Sequence, residues 1–255
     1  MNKEALLADL QKVSSLSCLM ELWKRWDISQ GKKRFIYDGI VNPAVYDACP
    51  LKVCFLMEEC YFEESDFDSD PTGISHHWNK YISINGNHYS YDLVANLREE
   101  RPWYMYHRVA YITKTILKEL EAAYSNEAPL QSIAVLNMKK SDGVCPSDLA
   151  EIKSIVSQDR ELIQKELELL DPDVIVCGRI TDICLQEKLF DTLGDIKEIC
   201  SFKTNSGFQK AYRCGNKIIF DMWHPSAPRL SYEKMSAAFA EKLPIIVPIF
   251  EEIKK

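Results

Sequence analysis

His224 follows the apolar run Lys217-Ile218-Ile219-Phe220 and opens the segment His224-Pro225-Ser226-Ala227-Pro228-Arg229-Leu230-Ser231. Histidine is the side chain whose ordinary pKa lets it hold or release a proton near neutral pH. The two prolines stiffen the segment, so a proton-bearing ring can stand close to a wedge made by Arg229 and Leu230. That pairing suits chemistry on a base pushed out of a nucleic-acid stack.

Three more groups of interest fall at the ends of short apolar runs. The run Leu51 to Met57 (LKVCFLM) stops at Glu58-Glu59-Cys60-Tyr61, Ser132 to Met138 (SIAVLNM) carries Asn137 and leads into Lys139-Lys140, and Asp173 to Cys177 (DVIVC) closes at Gly178. Continuous apolar runs of this length are the mark of strands buried on both faces. Helical periodicity lies between them: one stripe over residues 4 to 26, a pattern through Val109, Ile112, Ile116, Leu117 and Leu120, and a helix running from the caps Ser147-Asp148 to Leu170 before Asp171-Pro172. A helix near 180 to 190, a strand pair around 196 to 202 and 217 to 221, and a C-terminal helix from Tyr232 complete the order. Strands alternating with helices predict a three-layer α/β/α domain around a mostly parallel sheet of four to five strands. Ligands bind such sheets outside the carboxyl ends of the strands, where Glu58, Glu59, Asn137, Gly178 and His224 all fall.

At 255 residues the chain suits one domain: a helical cap over 1 to 50, a core over 51 to 232 and a terminal helix over 233 to 255. The formal charge of −7 argues against a protein coated in positive charge for indiscriminate nucleic-acid binding, while leaving room for a local basic face built from Lys32 to Arg34, Arg98, Arg101, Arg108, Lys139, Lys140 and Arg229. The nine cysteines include no C-x-x-C pair, which indicates neither a disulfide framework nor a zinc ribbon. No apolar run approaches the roughly 20 residues of a membrane span, and a polar N-terminus lacks the features of a signal peptide. The expectation is a cytoplasmic monomer without a cofactor. Residues 62 to 86 form an acidic, then aromatic and histidine-rich stretch that reads as one long loop.

The strand-end motifs together resemble the uracil-DNA glycosylase superfamily, over roughly residues 51 to 231. Phe55-Leu56-Met57-Glu58-Glu59-Cys60-Tyr61 is similar to the family's strand and water-activating Gly-Gln-Asp-Pro-Tyr segment. Val135-Leu136-Asn137 is similar to the strand whose final Asn reads the flipped base, and His224 to Ser231 is close to the family's His-Pro-Ser-Pro-Leu-Ser loop. The chain departs from the pattern at Glu59, where the family carries Asp or Asn, in one extra residue of the last loop, and in the acidic insertion Glu63 to Asp70.

The resemblance implies a monofunctional DNA glycosylase that hydrolyses the bond between sugar and base, on uracil or a modified pyrimidine, and leaves an abasic site. Cleavage builds positive charge on the sugar and negative charge on the departing base. His224 would then be the donor to the base, and Glu59 or Glu58 the anion near the attacking water. Asn137 would read the N3–H and O4 edge and Tyr61 would exclude a 5-methyl group. Trp78 or Tyr81 would stack on the base, and Ser226, Arg229, Leu230, Lys139 and Lys140 would contact DNA, with no metal required. Two alternatives stand beside this reading: a glycosylase for bulky, for example glucosylated, cytosine of phage DNA in antiviral defence rather than repair, and a catalytically silent nucleic-acid or nucleotide binding module.

Overall fold

Alternate side chains of the central strands enter two separate cores, and this sorting explains the layering. Val53, Phe55 and Met57 pack with Ile133, Val135, Val174, Val176, Ile218 and Phe220 on one face. Cys54, Leu56, Ala134, Leu136, Ile175, Cys177 and Ile219 lie on the other. Because side chains alternate along a strand with a period of two, a slip of one residue would exchange the two sets, so the register is strongly fixed. A computed structural model of the protein describes residues 1–32, 34–59, 104–120, 128–141, 147–201, 208–227 and 231–254.

Among the described residues seven strands form one sheet: β1 (Gly39–Ile40), β2 (Val53–Met57), β3 (Ile133–Asn137), β4 (Val174–Gly178), β5 (Ile196–Ser201), β6 (Phe208–Cys214) and β7 (Lys217–Met222), in the order β1-β3-β2-β4-β7-β6-β5. The pairs β2–β3, β2–β4 and β4–β7 are parallel. β1, β6 and β5 are added antiparallel at the edges. Helices α4 (Tyr104–Leu120) and α7 (Tyr232–Ile253) cover the first face through Val109, Ile112, Ile116, Met235, Phe239 and Ile246. Helices α1 (Lys3–Leu10), α2 (Leu16–Ser29), α5 (Leu149–Leu170) and α6 (Thr181–Gln186) cover the second. The short helix α3 (Pro43–Ala48) begins on the Asn42 cap with Pro43 in its first turn. The α/β class and the three layers are thus present, but the sheet has seven strands where the sequence pattern predicts four to five.

Two differences have plain local causes. The single helix expected over residues 4 to 26 is two helices, because Ser15 adopts an extended conformation and its hydroxyl accepts from the Cys18 N–H, starting α2 afresh. The missed strand β6 returns to β7 through Gly215, whose φ of +57° is left-handed and whose added Cβ would lie 2.4 Å from the Leu193 carbonyl oxygen, so only glycine fits the turn.

The four parallel strands set the site. β2 connects outward to its neighbour β3, whereas β4 connects in the opposite direction toward β7. The carboxyl ends of β2 and β4 therefore flank the point where the winding reverses, the place at which open α/β sheets bind ligands.

Candidate functional site at the carboxyl edge of the sheet

Glu58, Asn137, Arg179 and His224 stand at or just beyond the ends of four parallel neighbours, in the spatial order Asn137, Glu58, Arg179, His224. Three strand spacings of about 4.8 Å put the outer strands roughly 14 Å apart, a span that side chains from both ends can close around a planar ring.

His224 is fixed from three directions. The Ser226 backbone N–H donates to its Nδ1 at 3.1 Å, and the Ser226 hydroxyl lies 2.6 Å from the same nitrogen. An N–H can only donate, so Nδ1 is the acceptor and the neutral ring carries its proton on Nε2. Burial, then the charge of Arg179, lowers the pKa of His224 from 6.5 to about 4. Gly178 forms the floor: a Cβ there would come 3.2 Å from His224 Cδ2 and 3.4 Å from Met57 Sδ. The third support comes from α4, where Arg108 Nη1 donates to the carbonyls of Pro225 at 2.7 Å and Ala227 at 2.8 Å. Arg108, one candidate for a local basic face, thus serves the loop that holds His224.

The two glutamates have different surroundings. Glu58 Oε1 accepts from Arg179 Nε at 2.6 Å, across the reversal point between β2 and β4. Arg179 has a left-handed backbone with φ of +69°, and its N–H continues the ladder by donating to the Met222 carbonyl at 2.7 Å. Such a conformation is costly for a residue other than glycine. Glu59 instead turns to Lys139, whose Nζ lies 3.1 Å from Glu59 Oε2 and 2.9 Å from Glu151 Oε1. The Glu59 side chain is fully enclosed, and its Oε1 has no hydrogen-bond partner among the described residues.

Asn137 is held by a residue the sequence reading passed over. Asp38, just before β1, accepts from the Asn137 backbone N–H at 2.6 Å and from Nδ2 at 3.0 Å, both at Oδ2. Its Oδ1 accepts from Lys140, which also donates to Glu166 at 2.7 Å and stacks over the Trp23 ring at 4.7 Å from the ring centroid. Asp38, Lys140 and Glu166 are all buried.

Lys139 and Lys140, expected from the sequence to face DNA, are therefore turned inward. Each is buried between two carboxylates. Burial acts to lower the pKa of both, and the carboxylates outweigh it: Glu151 and Glu59 raise Lys139, Asp38 and Glu166 raise Lys140. Tyr61, Trp78, Tyr81, Arg229, Leu230 and the acidic insertion lie outside the described residues. The described residues include no group of three or more His, Cys, Asp or Glu side chains arranged to hold a metal.

Comparison of the chain with protein families and with curated proteins finds no match. No helix among the described residues is long and apolar enough to cross a membrane.

Proposed function

We propose that the protein is a monofunctional DNA glycosylase that extrudes a uracil or a modified pyrimidine and hydrolyses its N-glycosidic bond. The observation that carries this reading is the fixed tautomer of His224. With Nδ1 held by Ser226, a neutral Nε2–H donor is available at the strand ends. A fixed donor of this kind stabilises the oxyanion that develops on a leaving base without reorganising during the reaction.

Glu58 supplies the negative charge. It follows β2, between Asn137 and His224 in the order of the strands, whereas the enclosed Glu59 pairs with Lys139, so Glu58 takes the place beside the sugar and the attacking water and Glu59 ties the end of β2 to Lys139. Asn137 reads the base edge from the third strand. The protonated, carboxylate-bound state of Lys139 and Lys140 favours hydrolysis over an amine-initiated mechanism, since an ammonium has no lone pair with which to attack the sugar.

A second reading, the silent binding module, is favoured by one observation: Glu58, Glu59 and Asn137 all have internal partners. The protein incubated with single- and double-stranded oligonucleotides carrying uracil, thymine mispairs, 5-hydroxymethylcytosine or glucosylated bases, followed by alkaline cleavage, separates the two. Strand scission at one modified position is the expected result. Binding without scission on every substrate would leave the module reading, and scission only on glucosylated cytosine would move the substrate to phage-type DNA.

A further inference from the structure

We infer that Asp38 is a positioning residue that fixes the Asn137 carboxamide in one of its two orientations and thereby sets which base edge the site accepts. The inference rests on the reading of Asn137 as the base-contacting residue. A carboxylate accepts hydrogen bonds and offers none. Because Asp38 Oδ2 holds both the backbone N–H and Nδ2 of Asn137, the amide nitrogen must lie on the Asp38 side. Turning the carboxamide over would set Oδ1 against a carboxylate oxygen. The remaining Nδ2 hydrogen and Oδ1 are thereby assigned fixed directions, which distinguishes a pyrimidine edge offering a donor at N3 and an acceptor at position 4 from one with the opposite polarity.

Asp38 is itself held on two sides. Its chain is tied down by β1, where Gly39 pairs with Val135, and by the Ile36 N–H donating to the Lys140 carbonyl at 2.7 Å. Its second oxygen is gripped by Lys140, which Glu166 anchors from behind. Burial raises the pKa of Glu166 well above the ordinary carboxylate range, Lys140 opposes that and the neighbouring Asp38 adds to it. Asp38→Asn keeps the size and shape of the side chain, and Lys140 retains Glu166 as a partner at 2.7 Å.

The test compares Asp38→Asn with Glu166→Gln. An amide at position 38 donates as well as accepts, so Asn137 can turn over. Glu166→Gln preserves the side chain's shape and leaves Asp38 on Asn137. Excision is measured on uracil- and cytosine-type bases with matched substituents, and the side-chain amide of Asn137 is followed by NMR. Asp38→Asn is expected to reduce the discrimination ratio by on the order of 10- to 100-fold, the scale of a hydrogen bond to a charged group. Its Asn137 amide protons should lose their hydrogen-bonded shift, with both properties retained in Glu166→Gln. Equal loss in the two variants would reduce Asp38 to a structural role and overturn the inference. An unchanged ratio in Asp38→Asn would also overturn it and leave the glycosylase reading standing. If the wild-type protein excises nothing, the glycosylase reading fails by itself and the amide signals decide: a hydrogen-bonded wild-type signal freed in Asp38→Asn upholds the positioning, and a free wild-type signal overturns it. The wild-type signal decides in the same way if Asp38→Asn does not fold.

Discussion

The Ser226 N–H and the His224 ring form a closed local unit, joined at 3.1 Å two residues apart, that determines which nitrogen of the ring faces away from the loop. Protonating Nδ1 would break this contact and set a cation near Arg179, whose charge already opposes it.

The pH dependence follows with a definite sign. The unfolded ring titrates near 6.5 and the folded one at about 4, so the fold favours the neutral form. Its stabilisation is complete above the unfolded value and is lost as pH falls from 6.5 toward 4. Allowing for the ring's partial exposure, the loss should be about 2 kcal/mol. Ring-nitrogen NMR should show a midpoint near 4, and excision should be flat from pH 8 to about 5. His224→Ala should slow excision on the order of 10² to 10³-fold with DNA binding nearly intact, as for loss of one well-placed donor. A ring titrating near 6.5, or an active His224→Ala protein, would remove His224 from the mechanism.

Gly178→Ala tests the floor beneath that ring. The added Cβ would stand 3.2 Å from Cδ2 and 3.4 Å from the His224 Cα, so the ring has to shift by a few tenths of an ångström against the Ser226 contact. Misplacement of about 1 Å can cost 10²-fold. A loss of about 10-fold in kcat with a thermal midpoint close to wild type is expected, and wild-type kcat would show that the ring position is not critical.

The strand ends were legible in the sequence because LKVCFLM, SIAVLNM and DVIVC are apolar throughout, and strands buried on both faces show this pattern. All three form parallel strands that deliver Glu58, Asn137 and Gly178 to one edge. β6 was not legible: Phe208–Cys214 mixes Gln209, Lys210 and Arg213 with apolar residues, as an antiparallel strand near the sheet edge can. Asp38 and Arg179 were hidden for another reason. Asp38 lies 99 residues from Asn137 in sequence, and its role exists only once β1 pairs with β3. Lys139 and Lys140 misled because two adjacent lysines are most often solvated, and nothing local in the sequence reveals that Glu59, Glu151, Asp38 and Glu166 surround them.

Asn137→Asp, the direct way to change the reading of the base edge, carries a cost that Asp38 imposes. The new carboxylate would replace Nδ2 at about 3.0 Å from Asp38 Oδ2, and two carboxylates at that distance share a proton, raising one pKa. The penalty is present above the raised folded value and vanishes below the unfolded value near 3.9. The variant's stability relative to wild type should therefore improve as pH falls from 8 to 4 in denaturant titrations. A deficit independent of pH would show that the two carboxylates do not meet.

The paired glutamates give the clearest separation of chemistry from support. Glu58→Gln preserves shape and removes the charge facing Arg179. It should lower kcat by about 10²-fold, the lower end for a positioned general base, with little change in stability. Glu59→Gln deprives the buried Lys139 of one of its two carboxylates. Because Glu59 is enclosed and Lys139 retains Glu151, the expected effect is destabilisation by about 1–3 kcal/mol with kcat per folded molecule within a few-fold of wild type. The opposite pattern, with kcat lost in Glu59→Gln and kept in Glu58→Gln, would transfer the anionic role to Glu59 and require its carboxylate to leave Lys139 when DNA binds.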